Sequence, residues 1–121
     1  MDLRMRLQIL KDAGQLSEEN YQAITRVIEM LADDWNIGLT EENGAMFITH
    51  LAIAFERIGK GETVKPVDEC VLDELKEQSC FSYCRQALVS IANILGREIP
   101  EEEEGYVLIH LCTLFAKEVQ I

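Results

Sequence analysis

The residues of this chain best suited to chemistry are its two histidines, His50 and His110. An imidazole ring can bind a metal ion, act as an acid or base near neutral pH, or accept a phosphoryl group on a ring nitrogen. Both histidines interrupt segments that are otherwise largely apolar, residues 45–55 and 106–115. Burying an unpartnered polar group costs about 1–3 kcal/mol, so two such interruptions require an explanation.

An internal repeat places the two histidines at equivalent positions. A shift of 60 residues aligns Glu41 with Glu101 and Phe55 with Phe115 without a gap, and it aligns the histidines with each other. The apolar positions of the preceding helices align as well, which makes coincidence a poor explanation. A duplicated structural histidine remains the alternative, with one ring nitrogen donating to a backbone carbonyl and the other satisfied by a neighbouring hydroxyl.

Metal binding and catalysis are less well supported by the spacing. His110 and Cys112 are two residues apart and therefore lie on different faces of a helix. Cys80 and Cys84 supply only two of the four ligands usual in a structural zinc site. No GxSxG, HExxH or glycine-rich phosphate loop is present in the sequence. We therefore predict no enzymatic activity, no metal site and no cofactor.

The hydrophobic pattern predicts an all-α fold, because apolar residues recur at helical spacing between capping residues and glycines. The expected elements, in chain order, are a helix up to Gly14, Ser17 to about Gly38, Thr40 to about Gly59, Val67 to Gln78, Phe81 to Leu95, and a last helix from Pro100.

These elements predict one domain. Residues 1–16 form a lead-in helix, and residues 17–121 form a compact five-helix bundle. The bundle contains two antiparallel helix pairs, 17–59 and 80–120, related by a pseudo-twofold axis, and a short connecting helix. In each pair the first helix is amphipathic and the second is apolar nearly all round, so we expect the second helices to lie innermost.

Composition narrows the possible partners. Lys and Arg number 11 against 22 Asp and Glu, a net charge of −11, which disfavours direct binding to nucleic acid. No signal peptide or membrane-spanning apolar run is present, so we expect a cytoplasmic protein without membrane contact. In that compartment the four cysteines are expected to be reduced, small core residues.

Two segments resemble the phosphotransferase-system (PTS) regulation domain, or PRD, a helical module of bacterial antiterminators and transcriptional activators. They are FITHLAIAFERIGKG, Phe47 to Gly61, and EEGYVLIHL, Glu103 to Leu111. The resemblance implies a five-helix bundle that dimerises and is phosphorylated on histidine by the PTS phosphocarrier protein or an enzyme IIB component. His50 and His110 match the family's regulatory histidines. Arg57 matches a site-supporting residue, although a helix-end arginine favoured by the dipole explains it equally well.

The resemblance predicts a regulatory domain that acts through dimerisation or partner binding in the transcriptional control of carbohydrate use. Such domains usually stand in tandem beside a nucleic-acid-binding module, for which this chain has no room. Its start at Met1 favours a free-standing domain over an excised fragment. The alternative is an interaction module that is not phosphorylated and whose histidines are structural. A phosphorelay transfer domain fits poorly, because neither histidine is the first residue of an HxxKG pattern.

Overall fold

The computed structural model describes residues 2–118, which contain six α-helices and no strands. The helices are α1 (Leu3–Asp12), α2 (Glu18–Trp35), α3 (Glu41–Lys60), α4 (Glu69–Lys76), α5 (Phe81–Leu95) and α6 (Glu101–Glu118). The predicted all-α class is confirmed, while the five-helix count and the pseudo-twofold relation of the pairs stay predictions. Within residues 2–118, no helix is both long and apolar enough to cross a membrane.

The helix starts follow the capping residues of the sequence. Ser17 Oγ accepts a hydrogen bond from the Asn20 backbone N–H at 3.1 Å, and Thr40 and Asn43 form a reciprocal capping box at the start of α3. The end of α2 differs from the prediction. The residue in the left-handed conformation there is Asn36, with φ 55°, and not Gly38. Asparagine tolerates this conformation better than most residues do.

The first compact unit runs to Glu62 and contains α1, α2 and α3. The start of α2 contacts the end of α3, so the two helices are antiparallel. Helix α1 packs against both α2 and α3. Its contact with α3 includes an ion pair between Arg6 and Glu41 and the approach of Leu3 to Gly44. The predicted lead-in helix is therefore part of this unit.

The second unit begins at Thr63 and contains α4, α5 and α6. Both α4 and α5 pack against α6. A Cβ added at Gly105 would lie 2.9 Å from Val67 Cγ2, so glycine permits the segment before α4 to approach α6 closely. One residue later, the Tyr106 hydroxyl donates a hydrogen bond to the Lys65 carbonyl at 2.6 Å. The segment 63–68 is thereby held against the first half of α6.

The contact between α2 and α3 depends on Glu56. Its carboxylate accepts hydrogen bonds from the Ser17 backbone N–H at 3.0 Å and from the Asn20 side-chain amide at 2.6 Å. Partial burial by itself would raise the pKa of Glu56, but these hydrogen bonds outweigh it and bring the pKa below the ordinary value of 4.5. The ionised form of Glu56 is therefore the one that stabilises this helix pair.

We expect Glu56→Gln to lower the free energy of unfolding by about 1 kcal/mol near neutral pH. A carboxylate whose pKa is depressed by folding stabilises the native state above its unfolded pKa and loses that effect as the pH falls. The difference between wild type and variant should therefore shrink below pH 4.5. Urea denaturation at several pH values measures it, with Glu62→Gln, at an exposed position, as the control. A difference that grows on acidification would contradict the assignment.

Candidate functional site

His50 lies on an exposed face of α3. Its neighbours along that face are Met46, one turn before, and Ile53, about one turn after, and they are 67% and 46% exposed. The opposite face of the same helix is buried, including Leu51 and Phe55. Although α3 is apolar nearly all round, this face is therefore not buried, and it combines an exposed imidazole with two exposed apolar side chains.

His110 has a different environment on α6. It is half-buried, whereas His50 is exposed. One turn before it lies Tyr106, which holds the segment 63–68 against the helix through the Lys65 carbonyl. One turn after it, the Thr113 hydroxyl donates to the Ile109 carbonyl of its own helix at 2.9 Å. The equivalent sequence positions thus have unequal access to solvent.

This inequality bears on the chemistry of each ring. Phosphoryl transfer to an imidazole requires that another protein bring its phosphorylated group to a ring nitrogen. The exposure of His50 is compatible with such an approach, and it does not match the buried structural histidine of the alternative interpretation. A half-buried His110 is compatible with both interpretations.

Arg57 lies on the same helix as His50, seven residues further along and half-buried. Seven residues correspond to two turns, so it lies on roughly the same face about 10 Å along the axis. It also lies in the last turn of α3, where a positive charge interacts favourably with the helix dipole. The position is compatible with a supporting role for His50 and with a purely local role at the helix end.

Three cysteines converge in the second unit. The sulfur atoms of Cys80, Cys84 and Cys112 all lie within 4.8 Å of one another, and all three residues are buried. The spacing in the sequence pairs only Cys80 with Cys84, because Cys112 lies on a different helix. The packing of α5 on α6 supplies the third sulfur. Cys70 is exposed, contrary to the expectation that all four cysteines are core residues.

The three thiols affect one another's ionisation. Burial raises the pKa of Cys80 above its ordinary value. A hydrogen bond between the Cys84 and Cys112 thiols raises the pKa of Cys84 and lowers that of Cys112. The two thiols therefore ionise as one coupled pair and not independently.

Glu103 is a second residue that the sequence reasoning missed. The run of four glutamates at the start of α6 lies where the helix dipole favours negative charge, which by itself requires no burial. Glu103 is nevertheless buried, and it lies two turns before His110 on the same helix. Its position within the EEGYVLIHL segment was the available signal, because the other residues of that segment that face inward are apolar.

Comparison with known proteins identifies the family to which these features belong. The family model of the PRD domain matches residues 25–113, well over half of the chain, and spans both histidines. The chain therefore belongs to the PRD domain family, a class of regulatory domains, and it contains one matched copy. The predicted family is confirmed.

Two curated relatives extend over nearly the whole chain. The uncharacterized protein YhfY of Escherichia coli (strain K12) is 31% identical over 117 residues, covering 93% of this chain and 94% of its own length. An uncharacterized protein of Haemophilus influenzae (strain ATCC 51907 / DSM 11121 / KW20 / Rd) is 22% identical over 121 residues, covering 100% of this chain and 97% of its own. No solved structure is significantly similar to the chain.

Proposed function

We propose that this protein is a non-enzymatic cytoplasmic regulator whose histidines accept phosphoryl groups from the sugar phosphotransferase system. The donor is the PTS phosphocarrier protein or an enzyme IIB component. Modification changes self-association, as a homodimer, or partner binding, and through it the transcription of genes for carbohydrate use. The exposure of His50 within the family's FITHLAIAFERIGKG segment is the observation that carries this proposal.

The transfer requires little of the protein beyond an accessible ring. A ring nitrogen of His50 forms a bond to phosphorus while the bond between phosphorus and the donor side chain breaks, and the donor side chain is the leaving group. By analogy with other phosphorylated side chains, the product carries about −1.5 to −2 units of added charge. The formal charge of the chain is already −11, so the modification strengthens repulsion between negatively charged surfaces.

His110 is proposed to accept a phosphoryl group more slowly than His50. Its ring is half-buried, and the preceding turn of α6 is covered by the segment that Tyr106 holds through Lys65. A donor must displace part of this cover before it reaches the ring. Phosphorylation of the two histidines would then report different conditions. Modification of His50 would report the presence of a phosphoryl donor, and modification of His110 would report a donor together with a rearranged second unit.

The test is phosphorylation with purified components. The protein is incubated with phosphoenolpyruvate, enzyme I and phosphocarrier protein, with and without enzyme IIB components, and intact mass is followed over time. We expect a first acid-labile gain of one phosphoryl group that His50→Ala removes, and a slower second gain that His110→Ala removes. The double variant controls for other acceptors. Absence of any phosphorylation by these donors would refute the proposal, and circular dichroism of each variant excludes loss of fold as the cause.

The mode of action is tested on the same material. Light scattering after size exclusion measures the molar mass of the unmodified and phosphorylated protein, and we expect a change in the monomer–dimer distribution or in binding to a partner. The His50→Ala, His110→Ala double variant serves as the control. It has no histidine to phosphorylate, so its self-association should not change on incubation with the donor. We propose no direct contact with nucleic acid or membrane, consistent with the acidic surface.

The second candidate is an interaction module whose histidines are structural, and the partial burial of His110 favours it. It predicts that either His50→Ala or His110→Ala lowers stability while partner binding persists at a permissive temperature. It also predicts no phosphoryl transfer to either histidine, so the mass experiment separates the two candidates.

A further inference from the structure

The three buried cysteines of the second unit form a cluster that phosphoryl transfer does not use. Cys80 precedes the first residue of α5, Cys84 lies one turn further on, and Cys112 comes from α6. Their three sulfur atoms lie within 4.8 Å of one another. We call Cys80, Cys84 and Cys112 the thiol cluster.

The separation of the sulfur atoms suits a shared metal ion. Metal–sulfur bonds of about 2.3 Å place three thiolates about 4 Å apart around one ion. The observed limit of 4.8 Å is close enough for small side-chain rotations to close the difference. The sulfur atoms are thus prearranged around one point, from two different helices.

The internal repeat argues against a purely packing role for these cysteines. With the shift of 60 residues, Cys80, Cys84 and Cys112 align with Asn20, Ile24 and Ala52. Those residues are buried at the corresponding positions of the first unit without any thiol. The helix pair of the first unit therefore packs without cysteine at these positions, whereas the second unit has cysteine at all three.

A surface groove borders the thiol cluster at Cys112. This groove of about 510 Å³ between α4 and α6 is lined in part by Gln78 and Cys112. The Cys80 thiol lies 3.7 Å from Gln78 Oε1, as a donor to that oxygen. The Gln78 side chain therefore places a neutral oxygen atom beside the thiol cluster.

We propose that the thiol cluster binds one soft, thiophilic d¹⁰ metal ion, Zn²⁺ or Cu⁺, through the sulfur atoms of Cys80, Cys84 and Cys112. Binding forms three metal–sulfur bonds and releases one proton to solvent from each thiol that was protonated. Thiolate ligands select these ions over harder cations such as Mg²⁺. Zn²⁺ leaves one net negative charge in the buried site and has room for Gln78 as a fourth ligand. Cu⁺ leaves two net negative charges in the site, but three thiolates complete its coordination without a fourth ligand.

Occupancy of the site would connect two parts of the second unit. Cys112 follows His110 by two residues on α6, and the ion would tie this turn to the beginning of α5. Because only the folded chain presents the three sulfur atoms together, binding also stabilises the native state. This inference is independent of phosphorylation and stands or falls by metal binding alone.

The experiment uses the full chain, reduced and metal-free, titrated with Zn²⁺ and, without oxygen and against a competing chelator, with Cu⁺. Native mass spectrometry gives the stoichiometry, and thiolate-to-metal charge-transfer absorption reports the ligands. We expect one ion per chain with at least one of the two metals, and a higher melting temperature in its presence. Cys84→Ser should weaken binding by at least about 100-fold, the upper end of the loss seen for supporting residues alone. Cys70→Ser, at an exposed position, is the matched control.

A second readout avoids dependence on variants that fail to fold. In urea at a concentration that exposes the three thiols of the metal-free wild type, the bound ion should protect them from alkylation while Cys70 continues to react, which peptide mapping shows directly. Gln78→Ala separates the two metals, since it should weaken Zn²⁺ binding and leave Cu⁺ binding unchanged. Binding of neither ion by the folded wild type would overturn the proposal. So would an ion that leaves the thiol cluster unprotected, or one whose affinity depends on Cys70.

Discussion

Phe55→Ala is expected to lower the free energy of unfolding by about 3–5 kcal/mol, whereas Ile53→Ala on the same helix should lower it by less than about 1 kcal/mol. Phe55 is 1% exposed, so truncation leaves a cavity in the core around α3. Ile53 is 46% exposed and already faces solvent over much of its surface. The two residues are both large and apolar, so only their different burial separates the expected effects.

Chemical denaturation monitored by circular dichroism measures both variants. A loss of this size is a large fraction of the roughly 5–15 kcal/mol by which domains are stable, so Phe55→Ala is best measured at low temperature. Phe115→Ala, at the equivalent and fully buried position of α6, should behave like Phe55→Ala. Equal costs for Phe55→Ala and Ile53→Ala would show that the described face of α3 is covered in solution.

The helices themselves follow from local sequence signals. The bounds of α5 agree with the prediction of Phe81 to Leu95, because Gly96 ends the helix in the left-handed conformation, with φ 76°. The starts of α2 and α3 follow Ser17 and Thr40, whose side chains accept the first unpaired backbone N–H groups. Capping depends on three or four neighbouring residues, so the sequence contains enough information to locate it.

The environment of the candidate site depends on contacts that are distant in the sequence. The hydrophobic pattern of α3 and α6 is similar, yet His50 is exposed and His110 is half-buried. The segment 63–68 lies against Gly105 and Tyr106, in the turns of α6 before His110, and no periodicity indicates this contact. The thiol cluster has the same origin, since Cys112 is separated from Cys84 by 28 residues and joins it only through the packing of α5 on α6.

Ile53→Glu is expected to slow phosphorylation of His50 by about 10- to 100-fold while leaving the stability of the protein almost unchanged. If a donor protein approaches the exposed His50 ring, it must cover part of the face that Met46 and Ile53 form around it. Apolar residues at the centre of an interface often contribute about 1–3 kcal/mol to binding, and a buried unpaired carboxylate there adds a further penalty. Glutamate retains a high helix propensity, so α3 itself should remain intact.

Val89→Glu provides the matched control for this experiment. Val89 is 59% exposed on α5, so the substitution adds the same charge to an equally exposed apolar position away from His50 in the sequence and in the other unit. Initial rates measured by intact mass, with a fixed concentration of donor, should be unchanged by Val89→Glu. Slowing by both substitutions would indicate a general effect of negative charge on donor encounter, which rising salt should then remove. Slowing by Ile53→Glu alone, persisting at high salt, would identify the Met46–His50–Ile53 face as the surface that the donor contacts.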